Sequence, residues 1–282
     1  MGDYIVKIVH SSHRRREAIE AEVEWIVDLE KRGLPVPKVV PSIHGQLVET
    51  ISSSGGYYSV VCYEKLLGEE LWNDNLFRQW GSLIGKLHSA SSNFVPTIPR
   101  SHWYESDFLN VGAYIPTEFG GIRTNAERVI KEIKELPQNV FKYGLIHADV
   151  YQDNFIWREG VVQLFDFDNC EYGYLVSDLA IALYAALWRL PQEGNAFTFS
   201  KRFLRTLLDG YLEENFLSPT ELDALPLFLR LREILIYTVG RKKLDLKNLT
   251  QVQSRLLSER GERIRRGQPI VDVLPILASL SV

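Results

Sequence analysis

Residues 145–155 read Leu-Ile-His-Ala-Asp-Val-Tyr-Gln-Asp-Asn-Phe, and residues 161–168 read Val-Val-Gln-Leu-Phe-Asp-Phe-Asp. No other stretch restricts the fold so strongly. Each apolar run is short, rich in β-branched and aromatic residues, and borders a polar loop, as strands do when they deliver side chains into a cleft. His147, Asp149, Asn154 and Asp166 all sit in or beside that loop. Each is a group that binds a cation, accepts a proton or anchors a loop.

Such an array suits phosphoryl transfer. A triphosphate carries dense negative charge, so its magnesium must be held by hard oxygen ligands. An acceptor hydroxyl needs an oriented carboxylate to take its proton. The rest of the catalysis is positioning and electrostatic stabilisation.

Composition narrows the setting. The chain has 282 residues, 45% hydrophobic and 24% charged, with a net charge of −4. That is globular, long enough for one large domain or two modest lobes, and without the basic excess of a nucleic-acid binder. Two cysteines, Cys62 and Cys170, lie far apart among apolar residues and read as buried free thiols in a reducing compartment. Met1-Gly2-Asp3-Tyr4 has no signal-peptide character, and the longest apolar stretch, Leu179 to Trp188, is ten residues, too short to span a bilayer. These features predict a cytoplasmic protein with no membrane partner.

The remaining periodicity divides the chain. Tyr4 to Val9 predicts a strand, and Glu17 to Lys31 a helix stopped by Gly33, Pro35 and Pro37. Gln46 to Ile51 and Tyr57 to Tyr63 predict a hairpin turning at Ser52–Gly56. After the connector Leu67–Glu70, helical spacing dominates: Leu76 to Ser89, Ala126 to Glu135, then, past the β-rich segment 144–167, Leu175 to Arg189, Phe199 to Asn215, Ser218 to Arg241 and Leu249 to Arg265. Pro226 must lie in a first turn or a break of its helix.

His147-Ala-Asp149 followed five residues later by Asn154, with Asp166 ending the next strand, resembles the aminoglycoside phosphotransferase family, relatives of the protein kinases that act on small molecules. The resemblance implies an α+β, protein-kinase-like two-lobe fold. Its small β-rich N-terminal lobe (1–66) is truncated, and its large helical C-terminal lobe (67–282) carries the catalytic loop and acceptor site. It implies Asp149 as catalytic base, Asn154 and Asp166 as magnesium ligands, and His147 as the residue that holds the loop's shape. ATP is the implied donor, with GTP left open, and a small hydroxylated molecule the acceptor.

Within that resemblance, Lys7 matches the strand lysine that contacts α- and β-phosphates, and Glu22 the helix carboxylate that pins it; an edge-strand solubility charge is the simpler alternative for Lys7, and Glu24 the competing partner. Glu64 and Leu66 fall at the hinge that reads the adenine. Asp178 is either a carboxylate favoured by its helix N-terminus or a buried brace for the catalytic loop, and the two are compatible. Asp178 follows Asp166 by only twelve positions, which leaves no room for a peptide-binding activation segment and points to a small acceptor.

Two departures stand out. Asp168 replaces the glycine of the kinase Asp-Phe-Gly motif, as a second metal contact, an acceptor contact or a solvated turn residue. The two strands and phosphate-covering loop that precede the lysine strand in the family have no counterpart here; Ser52–Gly56 lies in the wrong place to substitute. An open strand edge of this kind invites pairing with a second copy. A non-catalytic, pseudokinase-like binding protein is therefore the competing reading, and a metal-dependent phosphatase a third. Glu213, Glu214, Glu221 and Asp223 are candidate acceptor-site charges or solvated helix ends. Trp103, Tyr104, Tyr172, Tyr174 and Trp188 are candidate stacking or core aromatics, with the core favoured for Trp188.

Overall fold

The computed structural model describes residues 2–190 and 194–280; the predicted extents at Met1 and at Ser281–Val282 lie outside them. The chain forms two compact units, neither continuous in sequence. The first takes the chain up to Arg100, Gly144–Tyr172 and Thr206–Phe216; the second takes Ser101–Tyr143, Gly173–Arg205 and the chain from Leu217 onward.

In the first unit, β1 (Tyr4–His10) pairs antiparallel with β4 (Gly56–Glu64) along its whole length. The other edge of β4 is shared: β2 (Val39–Val40) takes the end near Tyr63, and β3 (Glu49–Ser53) the end near Gly56. Ser53 faces Gly56, so the hairpin closes through the two residues Ser54-Gly55, as predicted from the serine–glycine run. The pairing of β3 starts at Glu49 rather than at Gln46. Ser42 and Gln46 close a loop on themselves (Ser42 N–H to Gln46 O, 2.8 Å), with Gly45 at φ +77°, so these residues are not available to the ladder. Among the described residues β1 pairs with no strand but β4, and Tyr4, Ile5, Val6 and Ile8 are each at least half exposed.

Helix α1 (Arg16–Lys31) follows β1 and buries Ile19, Val23, Trp25, Ile26 and Leu29. Trp25 meets Phe167 edge-on at 5.3 Å, which sets the helix against the end of the Asp166 segment. Helix α2 (Asp74–Ser91) starts at Asn73, whose side chain accepts the Leu76 N–H. It crosses residues 206–211 at backbone contact. A Cβ on Gly81 would lie 1.8 Å from Leu207 O, and one on Gly210 1.9 Å from Arg78 O, so only glycine fits at both. Strands β6 (Phe155–Arg158) and β7 (Val161–Leu164) form an antiparallel pair, and the connector joins them: Glu69 and Trp157 exchange both backbone hydrogen bonds.

The second unit is helical: α3 (Val111–Tyr114), α4 (Gly120–Lys134), α5 (Val176–Trp188), α7 (Pro219–Asp223), α8 (Leu225–Lys243), α9 (Gln251–Arg266) and α10 (Leu274–Leu277). Strands β5 (Tyr143–Ile146) and β8 (Glu171–Tyr174) and helix α6 (Ala196–Leu212) carry the chain from one unit to the other. The single helix predicted over Ser218–Arg241 is two. Pro226 has no N–H to donate and is tolerated only in a first turn, so a new helix begins at Leu225. Ser218 and Glu221 form a capping box on the short α7, and Glu221, 2% exposed, also accepts the Lys142 N–H. Buried Glu233 receives Arg263 through two hydrogen bonds (2.9 and 3.0 Å) and the Tyr184 hydroxyl (3.0 Å).

The core expectation for Trp188 is corrected. It is 44% exposed at the last turn of α5, with Arg260 over its ring at 5.7 Å. Its place at the end of an otherwise apolar run leaves it beyond the packed face. Trp103 and Tyr174 are buried, and Tyr104 is exposed. Glu213 and Glu214 are tied to Arg78 and to Ser82 and Lys86, respectively.

Candidate active site

All the predicted site residues except Asp178 lie in the first unit; Asp178 is fully buried in the first turn of α5, in the second.

The loop after β5 turns through Ala148, whose φ is +61°, and so aims Asp149 away from the strand direction. A non-glycine residue rarely adopts this conformation, and the fold must hold it in place. Asp166 has the same φ, +61°, where β7 gives way to the turn Phe167–Asn169. Of the three non-glycine residues with positive φ among those described, two therefore flank the predicted chemistry. His147 ties the two strained points together. Its ring is buried, its Nδ1 accepts the Asp149 N–H (3.3 Å), its Nε2 lies 3.2 Å from Phe165 O, and its face meets Phe167. Those partners select the tautomer with hydrogen on Nε2.

Asn154 is buried and donates from Nδ2 to Asp149 O (2.9 Å) and Asp149 Oδ2 (3.4 Å). Its backbone oxygen accepts the Phe165 N–H at 2.9 Å, one residue before Asp166. Asn169, which the sequence reading missed, donates to the same Asp149 Oδ2 at 3.1 Å. Two amides thus orient one carboxylate oxygen.

Among the described residues no three His, Cys, Asp or Glu side chains gather at one point.

Lys7 Nζ lies 3.1 Å from Glu22 Oε1, and Glu22 is 1% exposed. Glu24 does not compete. It accepts the backbone N–H groups of Thr97 and Ile98. Two further residues join the pair. Arg14 Nη1 reaches Glu22 Oε2 at 2.8 Å and Asp168 Oδ1 at 2.6 Å, and Lys7 Nζ also bonds Asp168 Oδ1. Arg100 fixes the turn from outside, donating to Asp168 O, Cys170 O and Ala18 O at 2.7–2.8 Å. Neither arginine was predicted; Arg14 stands in the basic run His13–Arg16, the only signal the sequence held.

A cavity of about 610 Å³ opens beside this network, lined by Lys7, Glu22, Tyr63, Glu64, Leu66 and Asp166 among others. Its wall is mostly apolar, with the charged side chains of Lys7, Glu22, Asp166 and Asp168 among its lining. Burial, and next the charge of Glu22, raise the pKa of Tyr63 well above the usual phenol range. Glu64 is exposed and 3.7 Å from Lys38. Burial likewise raises the Cys170 thiol to about 12.

Comparison with known proteins places the chain in a family. The model of the phosphotransferase enzyme family matches residues 2–225. The amicoumacin kinase of Bacillus subtilis (strain 168) is 34% identical over 277 residues, covering 95% of this chain and 82% of its own. A homoserine kinase of Gluconobacter oxydans is 25% identical over 242 residues, covering 80% and 71%. Among solved structures, amicoumacin kinase in complex with AMP-PNP, Ca2+ and Ami superimposes with a TM-score of 0.91 at 32% identity, over 96% of this chain and 84% of that one. A spectinomycin phosphotransferase shares the fold at a TM-score of 0.61 and 16% identity, over 99% of this chain and 86% of that one.

Proposed function

Because this chain belongs to the phosphotransferase enzyme family, we propose that it moves the γ-phosphate of ATP to a hydroxyl of a small molecule, with Asp149 as general base and Asn154 and Asp166 holding magnesium. The chain is a small-molecule kinase of the α+β, protein-kinase-like fold that uses ATP and a divalent metal. The finer assignment rests on one observation above all. Asn154 grips both the carbonyl and the carboxylate of Asp149 and is joined through Phe165 to the strained Asp166, so base and metal ligands form one hydrogen-bonded unit.

In this reading Asp149 Oδ2, steadied by Asn154 and Asn169, takes the acceptor's proton as the phosphoryl group moves. Asn154 and Asp166 present hard oxygens to magnesium, which when bound neutralises the phosphate charge. Lys7, positioned by Glu22, meets the α- and β-phosphates, and the backbone at Glu64 and Leu66 receives the adenine. His147 supports the loop. The small lobe ends at residue 66 in this reading, and the remainder carries the acceptor site.

Amicoumacin is the first acceptor to test, because the relative named for it aligns with 95% of this chain; homoserine and a panel of amino alcohols follow. A coupled ADP-release assay reads turnover. Asp149→Asn is expected to lower kcat by roughly 10²–10⁴-fold while ADP still binds, which is the range general base catalysis supplies. Asp166→Asn is expected to weaken nucleotide binding only when magnesium is present. The opposite pattern would exchange their roles, and unchanged turnover in Asp149→Asn would end the assignment. Among the described residues no helix is long and apolar enough to cross a membrane, and a cytoplasmic location fits the substrate. We further propose that two copies pair through β1, whose Tyr4, Ile5, Val6 and Ile8 are exposed. Light scattering should show a dimer that Ile8→Lys converts to a monomer; a monomeric wild type would refute the pairing.

A further inference from the structure

We infer that Arg14 is a second phosphate-binding cation, and that Asp168 occupies the phosphate position of the Lys7–Arg14 pair when no nucleotide is bound. The inference rests on the kinase reading above. It begins from Glu22, which is 1% exposed and uses its two oxygens separately. Oε1 meets Lys7 at 3.1 Å and Oε2 meets Arg14 at 2.8 Å. One buried carboxylate thereby fixes the spacing of two cations. Both cations then converge on a single further atom, Asp168 Oδ1.

Two fixed cations aimed at one anionic oxygen are the arrangement by which proteins hold a phosphate oxygen, and guanidinium is well matched to it. Asp168 is the only member of the four that is easily displaced. Its side chain is 35% exposed, against 19% for Arg14, 22% for Lys7 and 1% for Glu22. Removing it leaves two positive charges against one negative. Arg14 Nη2 is in addition a buried donor with no hydrogen-bond partner among the described residues. Buried donors of this kind are rare and call for a ligand or a reason. Lys7, Glu22 and Asp168 all line the cavity that the nucleotide enters in this reading. This assigns Asp168 a role as an internal stand-in for phosphate, in place of the solvated turn residue that its position in the motif suggests.

Calorimetric titration with ADP and, as control, adenosine tests this without turnover. In EDTA, Arg14→Gln should bind ADP about tenfold more weakly than wild type, the worth of one charge-assisted hydrogen bond, with adenosine unchanged. Arg14→Lys should recover part of the loss. Asp168→Asn should bind metal-free ADP several-fold more tightly, because the competing anion is gone, and this variant keeps every cation, so it reads the site even where Arg14→Gln does not fold. ADP affinity unchanged in Arg14→Gln, or weakened in metal-free Asp168→Asn, would overturn the inference while leaving the kinase reading intact. Wild type that binds no ADP, with or without magnesium, would overturn both.

Discussion

Replacing Glu22 by Gln removes one buried charge and leaves two cations facing each other. The attraction lost is large before compensation. At an effective dielectric of about 20, charges at the 3.1 Å of Lys7 and the 2.8 Å of Arg14 interact by about 5 and about 6 kcal/mol. Most of this returns. Lys7 and Arg14 are 22% and 19% exposed and can turn toward water or keep Asp168, and the neutral amide no longer bears the desolvation cost of a buried carboxylate. The net destabilisation expected from breaking one side of such a buried cluster is about 3 kcal/mol. With a urea m-value of about 3 kcal/mol per molar, the unfolding midpoint should fall by about 1 M. Urea titration of the nucleotide-free protein, followed by circular dichroism, measures it. Glu24→Gln is the control. Its carboxylate accepts only the Thr97 and Ile98 N–H groups among the bonds seen, so about 1 kcal/mol is expected. A midpoint for Glu22→Gln within about 0.2 M of wild type, or an equal loss in Glu24→Gln, would show that the charge cluster does not organise this unit.

Three other outcomes follow from particular contacts. Asn169→Ala removes one of the two amides on Asp149 Oδ2 and should lower kcat about fivefold with little change in the KM for ATP, as loss of about 1 kcal/mol of orientation implies; an unchanged kcat refutes the orienting role. Gly81→Ala places a methyl 1.8 Å from Leu207 O and should cost more than about 1–3 kcal/mol, because backbone rather than a mobile side chain must yield; a melting temperature equal to wild type refutes the close crossing. Burial raises the Cys170 pKa to about 12, so above about pH 9 the unfolded chain loses the proton that the folded chain keeps. Stability is fully present below that point and should fall as pH rises from 9 to 12, by up to about 1.4 kcal/mol per unit. Cys170→Ala should flatten that alkaline limb, and an identical limb in the variant refutes the assignment.

The sequence alone determined the parts whose signal is local. The β-branched run of Tyr4 to Val9, the 3.6-residue spacing of Ile19, Val23 and Ile26, and the serine–glycine turn each specify an element by contacts within a few residues, and those elements formed. The run from His147 to Asn154 was recognisable because the loop chemistry is packed into eight consecutive residues. Other features depended on distant chain. Arg14 and Asp168 meet across 154 positions, Arg100 reaches the Asp168 carbonyl across 68, and Asn169 reaches Asp149 across 20. No periodicity encodes such meetings, because periodicity reports which face of one element is apolar and not which elements fold beside it. The same limit explains Trp188, apolar by type yet left at the surface by the end of its helix. Sequence chose the chemical groups and their local geometry; only tertiary packing decided that two cations should share one carboxylate oxygen, because that convergence exists nowhere along the chain.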